Sequence, residues 1–129
     1  MISLLSLDEA HRARHVKPML IYKIFRADEW RSLEAKAETL GAPIDLTDGY
    51  IHFSTATQAA ETATKYFAGV EGLMLLAVDA EKCEPIKWEP SRGGALFPHL
   101  YRALKLEDIL WAKPLPCADA GHRFPPEMQ

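Results

Sequence analysis

The sequence predicts an α+β fold, with about five to seven short strands and two sizeable helices in its first half. Three observations carry this reading. Short runs rich in β-branched and aromatic residues recur along the whole chain. Two stretches before residue 70 repeat their apolar residues at helical spacing. Strands and helices do not alternate regularly enough for a doubly wound parallel sheet.

Residues 1–18 read as an N-terminal extension, with Ser6 and Glu9 spaced as a capping box and His11, Arg12, Arg14 and His15 forming a basic patch. Leu20 to Phe25 alternate like a first strand. Residues 27–40 predict a helix, with Trp30, Leu33, Ala37 and Leu40 on one stripe, Trp30 as a core anchor and Gly41 as the stop. Residues 43–47 read as a connector and Asp48-Gly49 as a turn. Tyr50-Ile51-His52-Phe53 predicts a short strand with Tyr50 and His52 on one face. Thr55 and Gln58 form a capping box for a helix from about Ala56 to Phe67. Its alanines predict close packing on a sheet, and Gly69 ends it. Leu73 to Val78 are continuously apolar, the pattern of a central strand covered on both faces. Ile86 to Trp88 and His99 to Tyr101 predict short strands, residues 106–110 a helical turn or a strand start, and Trp111 to Lys113 a last strand. Pro114 and Pro116 are expected to stop regular structure. That makes residues 19–116 the single domain and 117–129 a C-terminal tail.

The chain has 129 residues, a formal charge of −3 and 48% hydrophobic residues, which is the profile of an ordinary soluble domain. It carries no basic stripe that would announce general nucleic-acid binding. Cys83 and Cys117 form no C-x-x-C pair and read as reduced thiols of a cytoplasmic protein. No apolar run is long enough to span a bilayer, so no membrane partner is expected. The apolar residues before Leu7 precede the basic ones, the reverse of a signal peptide.

Two clusters carry chemistry. His52 lies on a strand just before Ser54 and Thr55, where a helix begins. Free backbone N–H groups and the positive end of the helix dipole make that an anion or ribose site. The alternative is a histidine satisfied inside the core. The second cluster is Glu89, Arg92 and His99, framed by Trp88, Phe97 and Tyr101. Gly93-Gly94 lets a ligand approach the backbone, and an arginine grips phosphate or carboxylate with two parallel hydrogen bonds. The alternative is a Glu89–Arg92 salt bridge bracketing a turn. None of the histidines shows metal-ligand spacing, so no metal is expected. Ser54 and Ser91 lack the context of a serine nucleophile.

Asp48-Gly49-Tyr50-Ile51-His52-Phe53-Ser54-Thr55, Tyr66-Phe67-Ala68-Gly69, Leu75 to Asp79, and Trp88-Glu89-Pro90-Ser91-Arg92-Gly93-Gly94 with Phe97-Pro98-His99-Leu100-Tyr101 together resemble a small bacterial family, domain of unknown function 952. The resemblance spans roughly residues 20–115. Members are similar in fold to ADP-ribosyltransferases. This implies a compact split β-sheet with two main helices and a cleft between its halves that takes NAD in the transferases. On this resemblance His52 contacts a ribose of NAD, Ser54 and Thr55 stand where a small hydroxyl residue follows that histidine, and Arg92 and His99 lie on phosphates. Tyr101 or Tyr66 stacks on a ring, and Glu89 is the catalytic carboxylate that stabilises the positive ribose carbon as nicotinamide leaves. The expected ligand is a small nucleotide-like molecule, with NAD as a substrate. The alternatives are a non-catalytic nucleotide-binding module and, less favoured, a phosphoesterase built on two H-x-[ST] motifs. His52-Phe53-Ser54 fits such a motif, and His99-Leu100-Tyr101 does not.

Overall fold

The computed structural model describes residues 18–126 and 128. The expected extension at residues 1–18 falls, apart from Pro18, outside the described residues. In chain order the elements are β1 (Leu20–Phe25), α1 (Ala27–Lys36), β2 (Glu38–Thr39), α2 (Pro43–Asp48), β3 (Ile51–His52), α3 (Ala56–Tyr66), β4 (Leu73–Asp79), β5 (Ile86–Pro90), β6 (Leu96–Leu100), β7 (Leu104–Lys105), β8 (Ile109–Leu115), β9 (Cys117–Ala118) and β10 (Gly121–His122). Mixed helices and antiparallel strands make this an α+β fold.

The apolar run at residues 73–79 is the middle strand of an antiparallel sheet in the order β1-β4-β8. Side chains on a strand alternate between faces, and β4 therefore feeds two cores. Leu76 and Val78 join Ile21, Phe25, Leu33 and Leu100 on one side. Leu73, Leu75 and Ala77 join Tyr22, Ile24, Ala63 and Leu115 on the other. The alanines of α3 pack as their size predicts, with Ala59 and Ala63 fully buried and the helix lying against β1. Trp30 is half-buried against the first core.

A second antiparallel sheet runs β3-β6-β5, with Ile51 opposite Leu100 and His52 opposite His99. The two sheets touch through one isolated bridge. Tyr22 and Ser54 exchange backbone hydrogen bonds there, at 2.7 and 2.9 Å. Beyond that bridge β1 and β3 part.

The structure corrects four expectations. The first helix ends at Lys36, not near Leu40, because Ala37 turns left-handed (φ 66°) and donates its N–H to Leu33. The freed chain pairs as β2 with β7, and Leu40 is left exposed. The connector at 43–47 is a third helix, started by Pro43 at its first turn and closed by Gly49 at φ 85°. Two main helices are thus joined by a short one. Pro114 does not stop β8. It pairs with Met74 within an edge strand, where proline's missing N–H is tolerated. The segment at 117–129 carries the hairpin β9–β10, and His122 bonds the carbonyl of Val70 at 2.8 Å.

Because Leu76 is fully buried in the central strand, Leu76→Ala should lower the unfolding free energy by about 2–5 kcal/mol in urea titrations. A loss below about 1 kcal/mol would contradict the placement of β4 at the centre.

Candidate functional site

Continuing the antiparallel register past the Tyr22–Ser54 bridge would set Ile24 against His52. The backbone of His52 is instead satisfied by side chains. Its N–H donates to Asp45 Oδ1 at 3.0 Å, and its carbonyl accepts from Lys23 Nζ at 2.9 Å. Lys23 and Asp45 are both buried and pair at 2.8 Å. This ion pair occupies the place of the missing strand pairing.

Asp45 is the hub. Its second oxygen also accepts the N–H of Ala42 at 2.8 Å, which is the capping interaction of α2. A buried carboxylate needs such partners to stay ionised. Burial pushes the Asp45 carboxyl up, but the hydrogen bond from His52 and the charge and hydrogen bond of Lys23 outweigh it and hold it below the usual range. Burial pulls the Lys23 ammonium below the ordinary lysine value against the opposing pull of Asp45. Gly41, at φ 105°, lies against the Asp45 carboxylate, and a Cβ there would collide with it.

His52 is bracketed by acids. Its Nδ1 lies 2.6 Å from Asp45 Oδ1 and its Nε2 2.9 Å from Asp48 Oδ2. His99, directly opposite on β6, is fully buried. Its Nδ1 lies 2.7 Å from Glu89 Oε1, and the Tyr101 hydroxyl donates to the same oxygen at 2.7 Å. The hydrogen bond from Tyr101, then that from His99, hold the Glu89 carboxyl below its usual range. The same bond to Glu89 is the main reason the Tyr101 hydroxyl is pushed up to about 12. An ionised Glu89 only accepts, so Nδ1 of His99 carries the proton. Nε2 of His99 is buried and has no hydrogen-bond partner among the described residues. Tyr50 covers this pair. Its ring stacks on His99 at 4.2 Å and lies 4.7 Å from that of His52.

A cavity of about 510 Å³ opens where the sheets diverge, within the range of small-molecule sites. One wall carries His52, His99 and Phe97 from β3 and β6. The facing wall carries Ile24 and Arg26 at the end of β1 with Ala59, Thr62, Tyr66 and Phe67 along α3. Pro43, Ile44 and Asp48 of α2, with Ser91, also line it.

Of the residues singled out in the sequence, the structure brings His52, Ser54, Tyr66, Ser91, Phe97 and His99 to this cavity. The Ser54 hydroxyl contacts that of Thr62 at 3.2 Å. Thr55 is used in its own capping box, accepting from Gln58 N at 3.3 Å, and is not part of the lining. Glu89 and Tyr101 also lie outside the lining, behind His99. Arg92 begins a 3-10 turn, Arg92–Gly94, and its side chain lies outside the described residues. Lys23, Arg26, Asp45, Asp48 and Tyr50 were missed. Pro43 followed by an acid two residues on was a legible helix start, and would have placed Asp45 at a cap. Burial, with Asp108 next, pushes the Cys83 thiol up to about 11, so it is a poor nucleophile at neutral pH. Among the described residues no group of three or more His, Cys, Asp or Glu side chains is placed to hold a metal ion, and no helix is long and apolar enough to cross a membrane.

An α+β domain with a ligand-sized cleft between two small sheets is the class that fold and site define. The chain belongs to the family described as protein of unknown function (DUF952), whose model matches residues 24–112. It is similar to the crystal structure of protein CC0527 from Caulobacter crescentus at 47% identity and a TM-score of 0.76, covering 80% of this chain and 91% of that one. The solution NMR structure of CC0527 gives 47% identity and a TM-score of 0.73, over 81% and 90% of the two chains. No curated protein matches the chain.

A carboxyl held below its ordinary value stabilises the fold above that value, and the contribution is lost as pH falls through the lowered one. Asp45 therefore predicts a stability loss confined to pH below about 3.8, its ordinary value. Asp45→Asn leaves Lys23 buried without its counter-charge and should cost about 3–5 kcal/mol near neutral pH, read by urea unfolding. A cost below about 1 kcal/mol would contradict the hub role.

Proposed function

We propose that the cleft binds a ribose-containing nucleotide, NAD or a smaller ribose phosphate, in an ADP-ribosyltransferase-like fold. The observation that carries this reading is His99, which lines the cavity and whose buried Nε2 has no hydrogen-bond partner among the described residues. A buried acceptor without a donor is costly, and a ligand hydroxyl or N–H supplies one. The aromatic lining of Phe53, Phe97, Tyr66 and Phe67 suits the flat face of a base. The split between two sheets joined at one bridge is the kind of architecture in which the transferases hold NAD.

Binding has more support than bond cleavage. A carboxylate that stabilises a positive ribose carbon must face the substrate. Glu89 faces His99 and Tyr101 instead and acts through them, orienting the imidazole. In this reading Glu89 and Tyr101 are positioning residues, His52 and His99 contact the ligand, and Ser54 lies within reach at the end of β3.

Calorimetric titration with NAD, ADP-ribose and AMP tests this, with chromatography for released nicotinamide. At least one ligand should bind, and His99→Phe, which keeps a ring against Tyr50, should weaken it about 10-fold or more. Nicotinamide should not accumulate. Silence with all three ligands would contradict the nucleotide reading, and steady nicotinamide release abolished by Glu89→Gln would restore Glu89 as the catalytic carboxylate.

A further inference from the structure

The two walls of the cleft differ in charge. On the histidine side three carboxylates hold the imidazoles: Asp45 at 2.6 Å and Asp48 at 2.9 Å on His52, and Glu89 at 2.7 Å on His99. The nearby ammonium of Lys23 is already held by Asp45 at 2.8 Å. A phosphate placed there meets several like charges. A hydroxyl or N–H donor meets the open acceptor of His99. Among the described residues the facing wall holds the other cation of the lining, Arg26, which is exposed and makes no ion pair there. Its guanidinium carbon lies 4.8 Å from the centre of the Phe67 ring, so a cation–π contact orients the planar fork. The nearest acid in sequence with an assigned contact, Glu29, accepts the backbone N–H of Arg26 at 2.8 Å.

We infer that Arg26 is the anion-binding residue of the cleft and that the ligand lies with its phosphate on the Arg26–Phe67 side and its hydroxyl or N–H donors on the histidine side. This rests on the nucleotide reading and fixes the orientation within it. It moves the phosphate contact from His99 and Arg92, where the family resemblance put it, to a residue of β1's end. Two parallel charge-assisted hydrogen bonds from a guanidinium to phosphate oxygens are among the stronger polar contacts available to a half-exposed site. Arg26 is thus a specificity residue for phosphorylated over unphosphorylated ligands, while His99 contributes to both.

Titration calorimetry with adenosine and AMP reads this directly, with thermal melts confirming that each variant is folded. The wild type should bind AMP roughly 10- to 100-fold more tightly than adenosine. Arg26→Gln should bring the two affinities together by weakening AMP alone, and Arg26→Lys should recover part of the difference. His99→Phe should weaken both ligands alike and keep their ratio. A ratio unchanged in Arg26→Gln, or lost in His99→Phe or Arg92→Gln instead, overturns the assignment of Arg26 and leaves the nucleotide reading standing. Binding of neither ligand to the wild type overturns the assignment of Arg26, and the nucleotide reading falls with it only if NAD and ADP-ribose are silent too.

Discussion

The Lys23–Asp45 ion pair decides the shape of this molecule. β1 and β3 begin as neighbours, exchange hydrogen bonds at Tyr22 and Ser54, and would continue as one sheet. They do not, because the groups on His52 that β1 would have satisfied are taken by Asp45 and Lys23. Two buried charges are expensive to desolvate, and a sheet hydrogen bond would have been the simpler solution. What the ion pair yields is space. It completes the backbone bonding of β3 while keeping β1 at a distance, and the cavity lies in the gap. Asp45 also caps α2, so the helix that forms one rim of the cleft is fixed by the same carboxylate.

From that hub the site follows in two steps. Asp45 orients His52, and the register of β3 with β6 sets His99 against it. Glu89 and Tyr101 then fix the ring of His99 from behind, leaving one buried nitrogen of a cleft-lining residue without a partner among the described residues. Tyr50, carried at the end of α2 by the left-handed Gly49, lies over both imidazoles. Most of the charged side chains near the cavity are thus committed to one another. The exception on the facing wall is Arg26, held by a ring rather than by an acid.

The parts of the fold written as periodic patterns were legible in the sequence. The continuous apolar run of β4, the alanine face of α3 and the Thr55–Gln58 cap each follow from local chemistry and appear as read. The cluster at 89–101 was recognisable as a unit, but the hydrogen bonds from His99 and Tyr101 to Glu89 were not, because they depend on how β5 and β6 pair. Asp45 and Lys23 were invisible for a related reason. A lysine within an apolar strand and an aspartate in a short proline-led helix look like surface residues until the tertiary fold buries both. Leu40 misled in the opposite direction: its spacing is helical, but the left-handed Ala37 ends the helix first.

The central claim is that His99 offers the cleft one unbonded nitrogen, held ready for a ligand by Glu89. Nitrogen-15 correlation spectra of the histidine side chains measure this most directly, with and without saturating NAD or AMP. The account predicts that free His99 carries its proton on Nδ1 with Nε2 unbonded, and that the Nε2 resonance moves as ligand binds. A free protein with the His99 proton on Nε2, or a bound complex in which that resonance stays where it was, would contradict it.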